Sequence, residues 1–136
     1  MPKGYHRMQV GQIVTYIKNH PKDRGWHDAL RACQSEGASL VKMDSSKKQK
    51  LVDRKFPHFG RVYMWIGLND VFQNDTFYWT DGERLTNIEA WIPGEPSLVA
   101  GGMDEDCVES RHGHKYMNDI PCHLLRSYLC ETDPLK

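Results

Sequence analysis

Oxygen donors crowd two stretches in the last third of the chain. Gly94-Glu-Pro-Ser97 runs on to Asp104-Glu-Asp-Cys107, and Tyr116-Met-Asn-Asp-Ile-Pro-Cys122 follows it. Both stretches end at a cysteine. A bond between Cys107 and Cys122 would draw Glu95, Ser97, Glu105, Asn118 and Asp119 toward one place. Carboxylates, an amide and a hydroxyl gathered from loops suit calcium, which takes about six to eight oxygens in a flexible shell. Glu95 with Glu105 also has the form of a glycosidase carboxylate pair. A metal occupies both groups without any bond-breaking, so binding is preferred over catalysis and no enzymatic activity is expected.

The chain has 136 residues, enough for one domain with a real core, and the expectation is a single domain over 1–136. Lys plus Arg and Asp plus Glu both number 18, so no overall basic field recruits nucleic acid, which is not an expected partner. No apolar run is long enough for a membrane span, and Met-Pro-Lys-Gly-Tyr-His lacks the apolar core of a signal peptide. The even cysteine count, Cys33, Cys107, Cys122 and Cys130, has no Cys-x-x-Cys spacing and favours disulfides and an extracellular setting. Met1 is read as the start of a mature fragment expressed without its secretion signal. Four cysteines allow three pairings, and the sequence does not choose among them. A nested arrangement would tie the two ends of the chain together and clamp the acidic loop.

The elements that must position these residues follow from periodicity and punctuation. Residues 10–17 read as an opening strand that ends in a turn at Lys-Asn-His-Pro. Asp23 is placed to cap a helix with apolar positions Trp26, Ala29, Leu30 and Cys33, and Gly37 to stop it. Residues 38–43 read as a short strand. A helix capped from Asp44-Ser-Ser then runs to about Phe56, with its lysines forming a solvated face. Residues 61–68 suit a buried central strand in which Gly67 implies close backbone approach. Thr76-Phe-Tyr-Trp-Thr reads as a strand closed by an Asp81-Gly82 turn, and Asn74-Asp-Thr76 is a glycosylation sequon. From 83 to 102 little strand or helix pattern appears, with Trp91 as an anchor. Strands at 107–111, 115–122 and 126–131 complete the chain.

These landmarks fall in one order: the Trp26–Gly37 helix with its cysteine, Trp65-Ile-Gly-Leu-Asn-Asp70, Phe77-Tyr-Trp-Thr-Asp-Gly82, Trp91 with Glu95-Pro-Ser97, Glu105-Asp-Cys107, Asn118-Asp119 with Cys122, and Tyr128-Leu-Cys-Glu131. The ordered set resembles the C-type lectin domain family in its short form, over nearly the whole chain. The resemblance implies an α+β fold with two helices flanking antiparallel sheets and a long binding loop. It implies the pairings Cys33 with Cys130 and Cys107 with Cys122. It also implies a Ca²⁺ site of Glu95, Ser97, Glu105, Asn118 and Asp119, whose shell two vicinal sugar hydroxyls complete.

Sugar contacts are then expected from Glu95, Ser97, Glu105 and Asn118, with Tyr116 as a stacking ring beside Trp91, His112 and His114. An auxiliary metal site would use Asp70, Asn74, Glu105 and Asp106. Where mannose-binding members carry Glu-Pro-Asn and many galactose-binding members Gln-Pro-Asp, this chain has Glu95-Pro96-Ser97, which leans toward galactose-type glycans. Weak single-site affinity predicts avidity through homo-oligomers or tandem domains. The expected setting is a secreted protein of glycan recognition and innate immunity. The second reading is a protein-recognition module of the same fold, with weak or no calcium and sugar binding.

Overall fold

The computed structural model describes residues 4–56, 63–71, 76–86, 90–96, 99–100, 103–104, 106–111 and 116–132. In chain order the elements are β1 (His6–Val10), β2 (Ile13–Arg24), α1 (Trp26–Ser35), β3 (Ser39–Leu40), α2 (Ser46–Lys55), β4 (Met64–Asn69), β5 (Tyr78–Trp79), β6 (Val99–Ala100), β7 (Met103–Asp104), β8 (Cys107–Ser110), β9 (Met117–Ile120) and β10 (Arg126–Thr132). The main sheet runs β1-β2-β10-β4-β8-β9, with β3 beside β10 and β5 beside β4. All its pairings are antiparallel except β10 with β4.

The opening strand is longer than its composition suggests. β1 and β2 form a hairpin through Gly11-Gln12, with Val10 opposite Ile13, and β2 continues through the expected turn to Arg24. Pro21 is tolerated because the β2–β10 register shifts there: Tyr128 pairs with His20 and Arg126 with Arg24. The surplus β2 residues bulge, so the missing N–H of Pro21 costs no ladder bond. That pairing also corrects the expected cap. Asp23 belongs to β2, and Gly25 precedes α1, whose first amide, Trp26 N–H, donates to Cys122 O at 2.9 Å.

Gly37 ends α1 as expected. At φ 77° it takes the left-handed conformation, while its N–H and that of Ala38 donate to Gln34 O and Cys33 O. α2 is capped by Ser45, whose hydroxyl accepts from Lys48 N–H at 3.1 Å. Its lysines are not all solvated. Lys48 turns inward, and its Nζ donates to Glu131 Oε2 at 2.6 Å. Glu131 also accepts from Thr15 Oγ1 and from the backbone of Lys42, so one carboxylate of β10 joins β2, the segment after β3, and α2.

β4 is buried along its whole length, with Trp65 Nε1 donating to Arg24 O and Trp26 Nε1 to Ile66 O. Gly67 sits where neighbouring backbone closes in. A Cβ there would lie 2.9 Å from Leu40 O and 3.2 Å from both Val41 O and Thr80 Oγ1. The substitution Gly67→Ala is therefore expected to cost about 1–3 kcal/mol by overpacking. Urea unfolding should report it as a lower midpoint at unchanged slope.

Two disulfides brace the frame. Cys33–Cys130 joins α1 to β10, and Cys107–Cys122 joins the start of β8 to the turn after β9, with Cα atoms 5.4 and 5.1 Å apart. The 83–102 stretch, expected to show little strand pattern, contains β6, which pairs with β7 just beyond it, Ala100 facing Met103.

Candidate functional site

Three of the five expected calcium ligands lie among the described residues, and backbone pairing brings their segments together. Trp91 forms a parallel bridge with Met117, and Ile92 N–H donates to Met117 O at 2.9 Å. Glu95 follows three residues later, its N–H donating back to Ile92 O at 2.9 Å across a turn that includes Gly94 at φ 89°. The Glu95–Pro96 peptide is cis. The 91–95 segment is thus fastened alongside β9, which carries Asn118 and Asp119. Ser97 and Glu105 lie outside the described residues, as do His112 and His114.

Asp119 is fully buried opposite Val108 of β8. Asn118 faces Glu109 across the same pair of strands, and its Nδ2 donates to Glu109 Oε2 at 2.9 Å. Glu109 is 2% exposed and also accepts from Arg126 Nε at 2.8 Å. An ionised carboxylate can only accept, so it fixes which end of the amide faces it and leaves Oδ1 turned away. Glu109 was not among the residues singled out from sequence. Its signal was positional: two residues after Cys107 on a strand, it falls on the same face as Asn118 of the return strand.

Glu95 provides the test of whether these residues suit a cation. Its Oε1 is buried and has no hydrogen-bond partner. An orphaned carboxylate oxygen, on a segment whose backbone pairs with the strand that carries Asn118 and the buried Asp119, is an acceptor that a hard cation would satisfy. The donors are all oxygens, which selects calcium over the softer transition metals. The described residues therefore fit a calcium ion.

Two residues of the expected auxiliary site are joined through the backbone. Asp70, at the end of β4, is 3% exposed, and its N–H donates to Asp106 O at 2.9 Å, which places these two acids on adjoining backbone. Asn74, the sequon residue, and Glu105, the other two expected members, lie outside the described residues. Elsewhere among the described residues, His20, Glu36 and Cys130 are the one grouping of three potential metal ligands. The Cys130 sulfur is bonded to Cys33, so that group is structural. Burial disfavours the Glu36 carboxylate, but bonds from Lys18, His20 and Tyr5 outweigh it and hold its pKa below the usual value.

One expected sugar contact is corrected. Tyr116 is fully buried and its hydroxyl donates to Met43 O at 3.0 Å, so its ring is committed to the core and cannot stack on a ligand. Trp91 is also a core residue, 8% exposed with its ring edge-on to Phe77 at 5.1 Å. No aromatic face for a sugar remains at these two positions.

Comparison with known proteins bears on the same frame. The rat (Rattus norvegicus) versican core protein is 38% identical over 130 residues, covering 94% of this chain but 4% of versican. This chain thus spans a small fraction of the curated relatives that it matches. Among solved structures, the cow CD23 carbohydrate-recognition domain, determined in the presence of a GlcNAc2Man3 oligosaccharide, superposes with a TM-score of 0.81 at 25% identity, covering 98% of this chain and 95% of that one. A calcium-independent type II antifreeze protein shares the fold at a TM-score of 0.78 and 20% identity, covering 98% and 94%. The Lectin C-type domain profile matches residues 22–132, from the end of β2 to the end of β10. On that match and the two-disulfide α+β frame, the chain belongs to the C-type lectin domain family.

Proposed function

We propose that this chain is a calcium-dependent glycan-binding domain and not an enzyme. The observation that carries the reading is the buried, partnerless Oε1 of Glu95, held by backbone pairing beside the strand that bears Asn118 and Asp119. Glu95, Ser97, Glu105, Asn118 and Asp119 would hold the ion. When bound, calcium supplies a Lewis-acidic point to which two neighbouring sugar hydroxyls give lone pairs. The protein does the orienting. Glu95 and Glu105 accept the hydroxyl protons, and the second N–H of Asn118, the one not used by Glu109, donates to a sugar oxygen. Ser97 puts a single hydroxyl where mannose-binding relatives carry an amide, which supports galactose-type over mannose-type ligands. A single shallow contact of this kind is weak, and useful avidity comes from several copies presented together in an extracellular setting.

A protein-recognition role with weak or no calcium and sugar binding is the second reading; a calcium-independent type II antifreeze protein has the same fold, so the fold itself does not require the ion. Columns of immobilised galactose and mannose separate the two. The expected result is retention on galactose in millimolar calcium, weaker retention on mannose, and release by chelator. Failure to bind either resin, together with chelator-resistant binding to a protein partner, would overturn the glycan reading.

A further inference from the structure

A groove of about 400 Å³ lies between β1 and α2. It sits at the β1 end of the strand order, away from β9 and the candidate calcium site at the other end. Arg7 and Gln9 of β1 form one wall, Arg54 and Lys55 of the last turn of α2 form the other, and Met8 and Leu51 line it between them. All four wall residues are exposed. The plain account of Arg54 and Lys55 is that cations suit a helix C-terminus. It does not explain why Arg7 lines the same groove from a different element.

Local pairing does not explain the arrangement either. Among the described residues, the ion pairs given to Glu36, Asp28, Asp81, Glu83, Glu131 and Glu109 are with other cations, and no carboxylate pairs with Arg7, Arg54 or Lys55. Asp53, the one acid of α2, accepts from Gln49, and Arg7 donates only to Gln9 Oε1 at 3.5 Å. Exposed Lys47 and Lys50 extend the row along α2, since 47, 50 and 54 share one helical face. In a chain whose total charges balance, this is a concentrated cationic surface that no carboxylate among the described residues pairs with.

We propose that this groove binds a sulfated polysaccharide chain. Cations facing one another across a concave surface raise the local potential and favour a polyanion. The planar guanidinium donors of Arg7 and Arg54 match pairs of oxygens on a sulfate group, and Lys55 adds a point charge. Gln9 supplies an amide for hydroxyl or carboxylate oxygens. None of the lining residues is aromatic, so nucleobases have no platform to stack on. Met8 is 8% exposed and projects no apolar anchor into a bilayer. The two disulfides fit an oxidising, extracellular setting, in which sulfated glycans are available as linear polyanions.

The test compares elution from immobilised heparin and from a sulfonate cation exchanger for the wild-type chain, for R7Q/R54Q/K55Q, and for K22Q/R31Q/R84Q, which removes three exposed cations elsewhere. The wild type should need more salt to leave heparin than to leave the sulfonate resin, with or without chelator. The groove variant should lose about tenfold or more in heparin affinity, and its plot of log affinity against log salt should become shallower by roughly two to three units. The control variant should change little. Equal losses in the two variants would overturn the proposal, as would binding to phosphatidylserine vesicles or single-stranded DNA as tight as to heparin. Chelator separates this surface from the glycan site, because only the latter depends on calcium.

Discussion

Glu95→Gln is expected to remove calcium binding while leaving the calcium-free fold as stable as the wild type or more so. The carboxylate places a buried oxygen where no protein donor meets it. Replacing it by an amide removes one charge from the proposed ligand set and, in the half-buried Glu95, the charge carried by an oxygen that has no hydrogen-bond partner. These act in opposite directions on the two states: the loaded protein loses a ligand, and the empty protein loses a strain. For the wild type, calcium at 100 times its Kd should add about 2.7 kcal/mol to the unfolding free energy. For the variant this increment should vanish, with a drop in calcium affinity of about 100-fold or more by calorimetry. Thermal melts with calcium and with chelator measure both effects. An equal calcium-induced rise in Tm for the two proteins would show that Glu95 is not a ligand, whatever happens to sugar binding.

The two disulfides should separate stability from binding. Cys33–Cys130 closes a span of 97 residues and Cys107–Cys122 a span of 15. The chain-entropy account gives about 4.7 kcal/mol for a loop near 100 residues and about 3 kcal/mol for one near 15. Replacing Cys33 and Cys130 together by alanine should therefore produce the larger fall in the urea midpoint, with calcium affinity nearly intact at low denaturant. Replacing Cys107 and Cys122 should cost less stability and more affinity. Cys107 stands two residues after Glu105, and Cys122 three after Asp119, so that bond tethers the segments carrying the proposed ligands. If both variants lose calcium affinity in proportion to stability, the short bridge has no special link to the site.

Features governed by local chemistry were legible in the sequence. Gly37 stops α1 because only glycine enters the left-handed turn there without strain, and the crowding at Gly67 was marked by a glycine inside an apolar strand. The failures came from partners distant in sequence. Asp23 has the side chain of a cap, but its segment pairs with β10, about a hundred residues away, and the strand outcompetes the cap. Lys48 reads as one of several surface lysines until Glu131, on that same β10, draws it inward. Tyr116 looked like a stacking ring because its neighbours in sequence are expected ligands. Its hydroxyl instead reaches Met43 O, 73 residues back along the chain. Of the site itself, residue types and order were readable. The orientation of Asn118 by Glu109 was not, since it depends on the register of β8 with β9.

The lateral contact of β2 with β10 has a mechanical consequence. Tension applied at the two ends of the described chain enters through β1–β2 on one side and β10 on the other, and Cys33–Cys130 links the two routes covalently. Load can peel the N-terminal hairpin and the last residues of β10, but it then passes through the sulfur bridge. The 97-residue span between those cysteines, which holds every proposed calcium ligand, is bypassed. A domain so wired can be pulled from both ends while its binding loop stays slack.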